Sequence, residues 1–186
     1  TIGRAKIEEW GSREGGFSEE FLRRVSGERD LSAVRALSFE VDTTVTQVDH
    51  LGTLMPCLTE LRLKRGSTLS SFRDLGSSLI QLRVLWLSAC GVRHLDGIEA
   101  LTGLEELYLA FNDVDDLTSI ALHDNLKVLD LESNNVRDAD QVVHLGTCPS
   151  LWSLTLAANP VCRDKHYRRC VVNIVPQLIS LDEEDI

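Results

Sequence analysis

Cys162, His166 and Cys170 recur every four residues, a spacing that would stack metal-binding side chains along one face of a helix. A structural zinc site needs a fourth ligand and closes on tight Cys-x-x-Cys turns, which the five cysteines (Cys57, Cys90, Cys148, Cys162, Cys170) do not form. Cys148 would complete the set only if the fold happened to bring it close. The cysteines therefore read as small hydrophobes and His166 as an exposed side chain. His50, His94, His123 and His144 stand at no recognised local spacing from a nucleophile. Gly11, Gly15 and Gly16 are not followed by the Lys-Ser/Thr of a phosphate loop. Asp113, Asp115 and Asp116 lack the glycine and distal glutamate of a calcium loop and read as solvated turn acids. Catalysis, a metal and a cofactor are all unexpected.

Recognition by a surface remains. The 186 residues suffice for one ordinary domain or one elongated array, and 43% hydrophobic with 26% charged residues is a globular composition. Twenty-nine acidic against 19 basic residues leave a formal charge of -10, which repels nucleic acid and anionic membranes. No apolar run approaches the roughly 18 to 20 residues of a membrane span. The start, Thr1 to Lys6, has neither an initiating Met nor the apolar core of a signal peptide. With the odd, scattered cysteines, this suggests a piece of a cytoplasmic protein.

The elements that would carry such a surface are visible as a repeat. Leu-x-x-Leu-x-Leu occurs at Leu58/Leu61/Leu63, Leu82/Leu85/Leu87, Leu104/Leu107/Leu109, Leu126/Leu129/Leu131 and Leu151/Leu154/Leu156. A weaker copy, Val34/Leu37/Phe39, precedes them and a truncated one, Leu178/Leu181, follows; successive starts are 24, 24, 22, 22, 25 and 27 residues apart. Three positions after the last leucine stand Cys90, Asn112, Asn134 and Asn159, each followed two residues later by valine. This is the leucine-rich repeat pattern. Alternate leucines on a short strand face inward, the residues between them face outward, and the Asn bonds the backbone where the chain leaves the strand. One coil cannot bury its apolar side alone, so coils must stack, and His94, His123 and His144 fall on the outer return segments of their coils. The expected fold is an α/β solenoid of about six coils, with a parallel β-sheet on the concave face and a helical cap at each end.

Four segments follow. Residues 1–17 hold four of the twelve glycines and read as flexible, although Ile7 and Trp10 could fold back. Residues 18–30 read as a capping helix: Ser18 begins it, Glu19 and Glu20 favour its start, Arg23 and Arg24 its end, and Gly27 stops it. Phe21, Leu22 and Val25 would cover the first coil. Residues 31–158 are the repeats. Residues 159–186, with Tyr167, Val171, Val172, Pro176, Leu178, Leu181 and Asp182, resemble the terminal cap of 22-residue, SDS-type repeats.

The outward residues between the strand leucines change character along the array. Arg62, Lys64 and Arg65 are basic, Trp86, Tyr108 and Phe111 aromatic, Asp130 and Glu132 acidic, and Trp152 closes the series. Trp86 and Tyr108 hold equivalent positions in adjacent coils, roughly 4.8 Å apart on a sheet. Exposed aromatics beside arginine are typical of protein-binding hot spots. A partner segment would cross Trp86, Tyr108 and Phe111, with positive charge near Asp130 and Glu132 and negative charge near Arg62, Lys64 and Arg65. A second basic group, Arg163, Lys165, His166, Arg168 and Arg169, reads as a solvated face.

The sequence between the repeats is more telling. Arg73-Asp74-Leu75-Gly76-Ser77-Ser78-Leu79, Leu82-Arg83-Val84-Leu85-Trp86-Leu87, Cys90-Gly91 and Leu95-Asp96-Gly97-Ile98 stand out, with Glu105-Glu106-Leu107-Tyr108, Val128-Leu129-Asp130-Leu131-Glu132 and the earlier Val41-Asp42-Thr43. Over residues 20–186 this resembles the ciliary leucine-rich repeat-containing protein 56 family, which includes the algal flagellar outer-arm dynein assembly factor. Trp86, Asp96-Gly97 and Tyr108 carry weight because the generic repeat does not demand them. The resemblance implies an adaptor, with partners among outer-arm dynein assembly or intraflagellar transport components and a place in the cytoplasm and the cilium. It maps no site; Trp86, Tyr108, Asp130 and Glu132 are carried over as matching positions only. Phe39 departs from the repeat consensus, and Gly66-Ser67-Thr68-Leu69 lacks the Asn and carries two extra residues, leaving the register of residues 64–72 open.

Three other readings stay open on the repeat alone. An axonemal dynein light chain has a similar cap on a shorter array. A protein phosphatase regulatory subunit uses the same repeat in a longer, more uniform one. A spliceosomal-type repeat seats an RNA-binding partner, and the net charge weighs against direct RNA contact. The sequence leaves the oligomeric state open.

Overall fold

A computed structural model describes residues 18–121 and 123–186. Strands β1 (Ala36–Phe39), β2 (Glu60–Leu63), β3 (Val84–Trp86), β4 (Glu106–Tyr108), β5 (Val128–Asp130), β6 (Ser153–Thr155) and β7 (Ser180–Leu181) lie side by side in chain order, all parallel. A last strand, β8 (Glu184–Asp185), returns antiparallel on β7. In-register partners are 24, 24, 22, 22, 25 and 27 residues apart, the intervals of the sequence repeat. The fold is a leucine-rich repeat solenoid. Its weak first copy and truncated last copy both supply strands, so seven parallel strands among the described residues line the concave face of the expected array of about six coils.

The core is a stack of equivalent positions. Leu61, Leu85, Leu107, Leu129 and Leu154 pair in register and are buried. The return path fills the same core with Val114, Leu117 and Ile120. A coil of 22 to 25 residues leaves little chain for a convex helix. That side is accordingly built from single turns such as the 3-10 helices Phe72–Leu75, Ile98–Ala100 and Thr118–Ile120, with short α-helical turns at α2 (Leu51–Leu54) and α3 (Ala139–Val142).

Buried asparagines join coil to coil. Asn112 Oδ1 accepts from the backbone N–H of Cys90 and Val92, while its Nδ2 donates to the carbonyls of Leu87 and Leu109. Asn134 and Asn159 repeat this one and two coils on, accepting from Val114 and Val136. The backbone of each preceding coil is thereby satisfied without water, which a buried turn requires. The residue before each ladder position lies in the left-handed region: Ala89, Phe111, Ser133 and Ala158 at φ 53° to 61° across their coils.

That rule settles the register of residues 64–72. Gly66 takes the left-handed position at φ 101°, Ser67 is buried in the asparagine's place, and its Oγ accepts from the Val41 N–H. Leu63 to Ser67 is one residue longer than Leu109 to Asn112, so the turn carries one extra residue rather than two. Serine is shorter than asparagine, and the longer turn carries it to the backbone it serves.

Both ends are covered. Helix α1 (Glu19–Ser26) has Ser18 accepting from the Phe21 N–H, and it stops at Gly27, whose φ of 75° turns its N–H onto the Arg23 carbonyl. It therefore ends before residue 30, and the 3-10 turn Leu31–Ala33 follows. Leu22 is fully buried, and Phe21 meets Phe39 edge-on at 6.5 Å. The expected flexible segment 1–17, with Ile7 and Trp10, lies outside the described residues. At the other end Tyr167, the first residue of α4 (Tyr167–Ile174), donates to Asp182 Oδ2 at 3.0 Å, while Asp182 Oδ1 accepts from the Leu156 N–H. Asp182 thus ends the ladder as asparagine continues it, and burial beside its carboxylate raises the Tyr167 hydroxyl pKa. Arg168 donates to the carbonyls of Leu181, Glu184 and Asp185 and ties down the β7–β8 turn.

Two expectations change. Gly97 is demanded by the scaffold: at φ 95° it is buried, and a Cβ there would lie 2.7 Å from the Arg73 backbone nitrogen. His123 is buried rather than on the outer surface, because it sits between Ile120 and Leu126 where the return path turns inward, and its Nε2 has no hydrogen-bond partner among the described residues. Burial lowers its pKa against the opposing pull of Glu99 and Asp124.

Candidate partner-binding face

The strand register sets Arg62, Trp86, Tyr108 and Asp130 side by side across β2 to β5, followed by Thr155 on β6. All are outward positions alternating with buried leucines. The Trp86 and Tyr108 rings stack with centroids 3.6 Å apart and planes 4° from parallel. On the far side of the indole the Arg62 guanidinium lies 4.2 Å from the ring centroid. Guanidinium, indole and phenol form one continuous pile, held by dispersion and by the cation against the π-face. The Trp86 Nε1 is buried with no hydrogen-bond partner among the described residues.

Acidic groups flank it. Tyr108 donates its hydroxyl to Glu106 Oε2 at 2.7 Å. Burial, then this bond, then the charges of Glu106 and Asp130 push the Tyr108 pKa up to about 12, so the hydroxyl stays protonated. Asp130 is half-buried; its Oδ1 accepts from the Glu132 N–H, yet burial wins and, with Glu183 nearby, raises its pKa. Among the described residues no ion pair reaches Glu106, Asp130 or Glu132.

The other expected residues lie around this row. Lys64 is exposed just past β2, and Glu132 is half-buried past β5. Phe111 is 58% exposed but occupies the left-handed turn position beyond β4, and its ring does not join the Trp86–Tyr108 stack. The aromatic cluster is therefore a pair with an outlier, because the turn carries Phe111 off the strand. Trp152 is 42% exposed and precedes β6, in the row of Arg83, Glu105 and Lys127 rather than that of Trp86. Sequence reasoning missed that row's ion pairs: Glu105 accepts from Arg83 at 2.6 Å and from Lys127 at 2.7 Å, bonds that lower its pKa. The signal was present, since the three residues stand 22 apart, each just before a strand.

The cysteine–histidine series does not form a face. Cys162 lies in the 3-10 helix Pro160–Arg163, His166 precedes α4, and Cys170 lies within it, so a helix break separates them. Among the described residues no group of three metal-binding side chains gathers, and no helix is long and apolar enough to cross a membrane. The basic group Arg163, Lys165, His166 and Arg169 is exposed on the cap.

The leucine-rich repeat family model matches residues 60–186. The chain belongs to the leucine-rich repeat family. Such proteins are in general interaction scaffolds without catalytic activity. Its repeats are 45% identical over 166 residues to leucine-rich repeat-containing protein 56 of Homo sapiens, covering 83% of this chain and 30% of that one. They are 31% identical over 195 residues to the homolog of Trypanosoma brucei brucei, covering 91% and 26%. These similarities uphold the resemblance to the protein 56 family. The chain spans less than a third of either relative's length. The structure resembles an internalin, InlF of Listeria monocytogenes, with a TM-score of 0.65 at 19% identity over 87% of this chain and 54% of that one, a likeness of fold alone.

Proposed function

We propose that the chain is a non-enzymatic adaptor that holds a protein partner on its concave face. Its similarity to the protein 56 family supports a role in assembly or intraflagellar transport of outer dynein arms in motile cilia, with the protein in the cytoplasm and the ciliary transport pool. The observation that carries the binding surface is the Arg62–Trp86–Tyr108 pile on the open sheet, a rigid, largely apolar platform set among charges. Such platforms concentrate binding energy at protein interfaces.

The test is affinity capture from a lysate of ciliated cells, comparing the chain with its Trp86→Ala/Tyr108→Ala variant after circular dichroism shows the variant folded. Capture of outer-arm dynein or transport subunits, reduced at least tenfold by the variant, is the expected result. Equal capture by both proteins would move the surface elsewhere. Phosphatase catalytic subunits in place of dynein would overturn the ciliary reading.

A further inference from the structure

The Arg62–Trp86–Tyr108 pile is finished at one end only. Because the two rings are stacked and parallel between neighbouring strands, their planes stand across the sheet, with their normals along the strand-to-strand direction. Arg62 covers the outer face of Trp86. The corresponding face of Tyr108 looks along the row toward β5, where the in-register residue is Asp130. Aspartate is too short to cover a phenol ring, and the next residue, Thr155, is also short. Among the described residues no ring or guanidinium lies against that face. That open ring face of Tyr108, with Asp130 in register beside it, makes a slot on the sheet surface. Glu106 and Glu132 stand beside it.

We propose that this slot takes an arginine side chain of the protein partner, its guanidinium stacked on Tyr108 and ion-paired with Asp130. The inference rests on the concave-face reading and names the chemistry of the partner's anchor. Charge complementarity selects a cation, since neither Asp130 nor Glu132 has an ion-pair partner among the described residues. Planarity selects guanidinium over ammonium: a flat cation stacks on a ring and still presents paired N–H groups to a carboxylate at its edge. The chain already builds the same arrangement at the other end of the pile with its own Arg62, so the occupied slot would read arginine, tryptophan, tyrosine, arginine.

Titration calorimetry with acetylated, amidated hexa-arginine and hexa-lysine peptides tests this on the whole chain. Hexa-arginine should bind several-fold more tightly than hexa-lysine. Asp130→Asn should weaken hexa-arginine five- to tenfold, and so should Tyr108→Leu if circular dichroism shows it folded. Glu20→Gln, the same change of charge on distant α1, should leave binding unchanged. Equal binding of the two peptides, or an Asp130→Asn effect no larger than that of Glu20→Gln, overturns the slot. Lysate capture separates the two readings. A partner lost with Trp86→Ala/Tyr108→Ala but retained with Asp130→Asn removes the slot and leaves the surface standing. Retention by both variants removes the surface itself.

Discussion

The indole of Trp86 lies flat on the phenol of Tyr108, 22 residues further along the chain, with 3.6 Å between ring centroids. Offset and edge-on pairs are common because they avoid opposing quadrupoles. Here the parallel strands hold both rings side by side, and Arg62 on the second face of the indole offsets the repulsion between them. A double-mutant cycle of Trp86→Leu and Tyr108→Leu, followed by urea unfolding, should give a coupling of about 0.5 to 1.5 kcal/mol. Strict additivity would mean the stack is incidental.

Asp130 is a half-buried carboxylate with no ion-pair partner among the described residues, so ionisation costs more in the folded chain than in the unfolded one. Its raised folded pKa means that this cost is present at neutral pH. It is relieved as pH falls through that value, and absent below the unfolded value of about 3.9. Asp130→Asn should therefore raise the melting temperature at pH 7 by roughly 1 to 3 °C, with the gain shrinking toward pH 4. A lower melting temperature at pH 7 would count against this account.

The ladder predicts a much larger effect from one neutral residue. Asn134→Ala would leave the Val114 N–H without its bond and would take one of two asparagine bonds from each of the carbonyls of Leu109 and Leu131. At about 1 to 3 kcal/mol for a stranded buried group, and with partial relaxation, the expected loss is about 2 to 4 kcal/mol. Asn135→Ala, on an exposed neighbour, should cost less than about 0.5 kcal/mol. Chemical denaturation of the two variants decides it, and equal losses would dissolve the ladder's energetic role.

His123 gives the chain an acid sensitivity of its own. Its folded pKa is lowered by burial, with Glu99 and Asp124 only partly opposing. As pH falls below the unfolded value of about 6.5, the unfolded chain takes a proton that the folded chain resists, so stability declines. The urea midpoint should fall between pH 7.5 and 5.5, and His123→Phe should flatten that slope. Identical slopes would assign the decline to other groups.

Much of the architecture was legible because it is local and periodic. The alternation of leucines, the intervals of 22 to 27 residues and the caps at Ser18 and Gly27 are consequences of backbone geometry that each coil repeats. Ser67 escaped because it does the work of asparagine without resembling it, and only the buried bond to Val41 reveals the equivalence. Phe111 escaped in the other direction: its residue type matched Trp86 and Tyr108, but one left-handed turn set it off their strand row.

The sequence by itself determined the solenoid, its register through the regular coils, and the order of basic, aromatic and acidic residues along the concave face. Period-two burial and stacked repeats leave no other way to hide those leucines. Tertiary structure alone decided that two rings close into a pile with Arg62, that Asp130 pairs with no cation among the described residues, and that His123 is buried. These depend on rotamers and on how one coil sits against the next, contacts between residues far apart in the chain that no local pattern encodes.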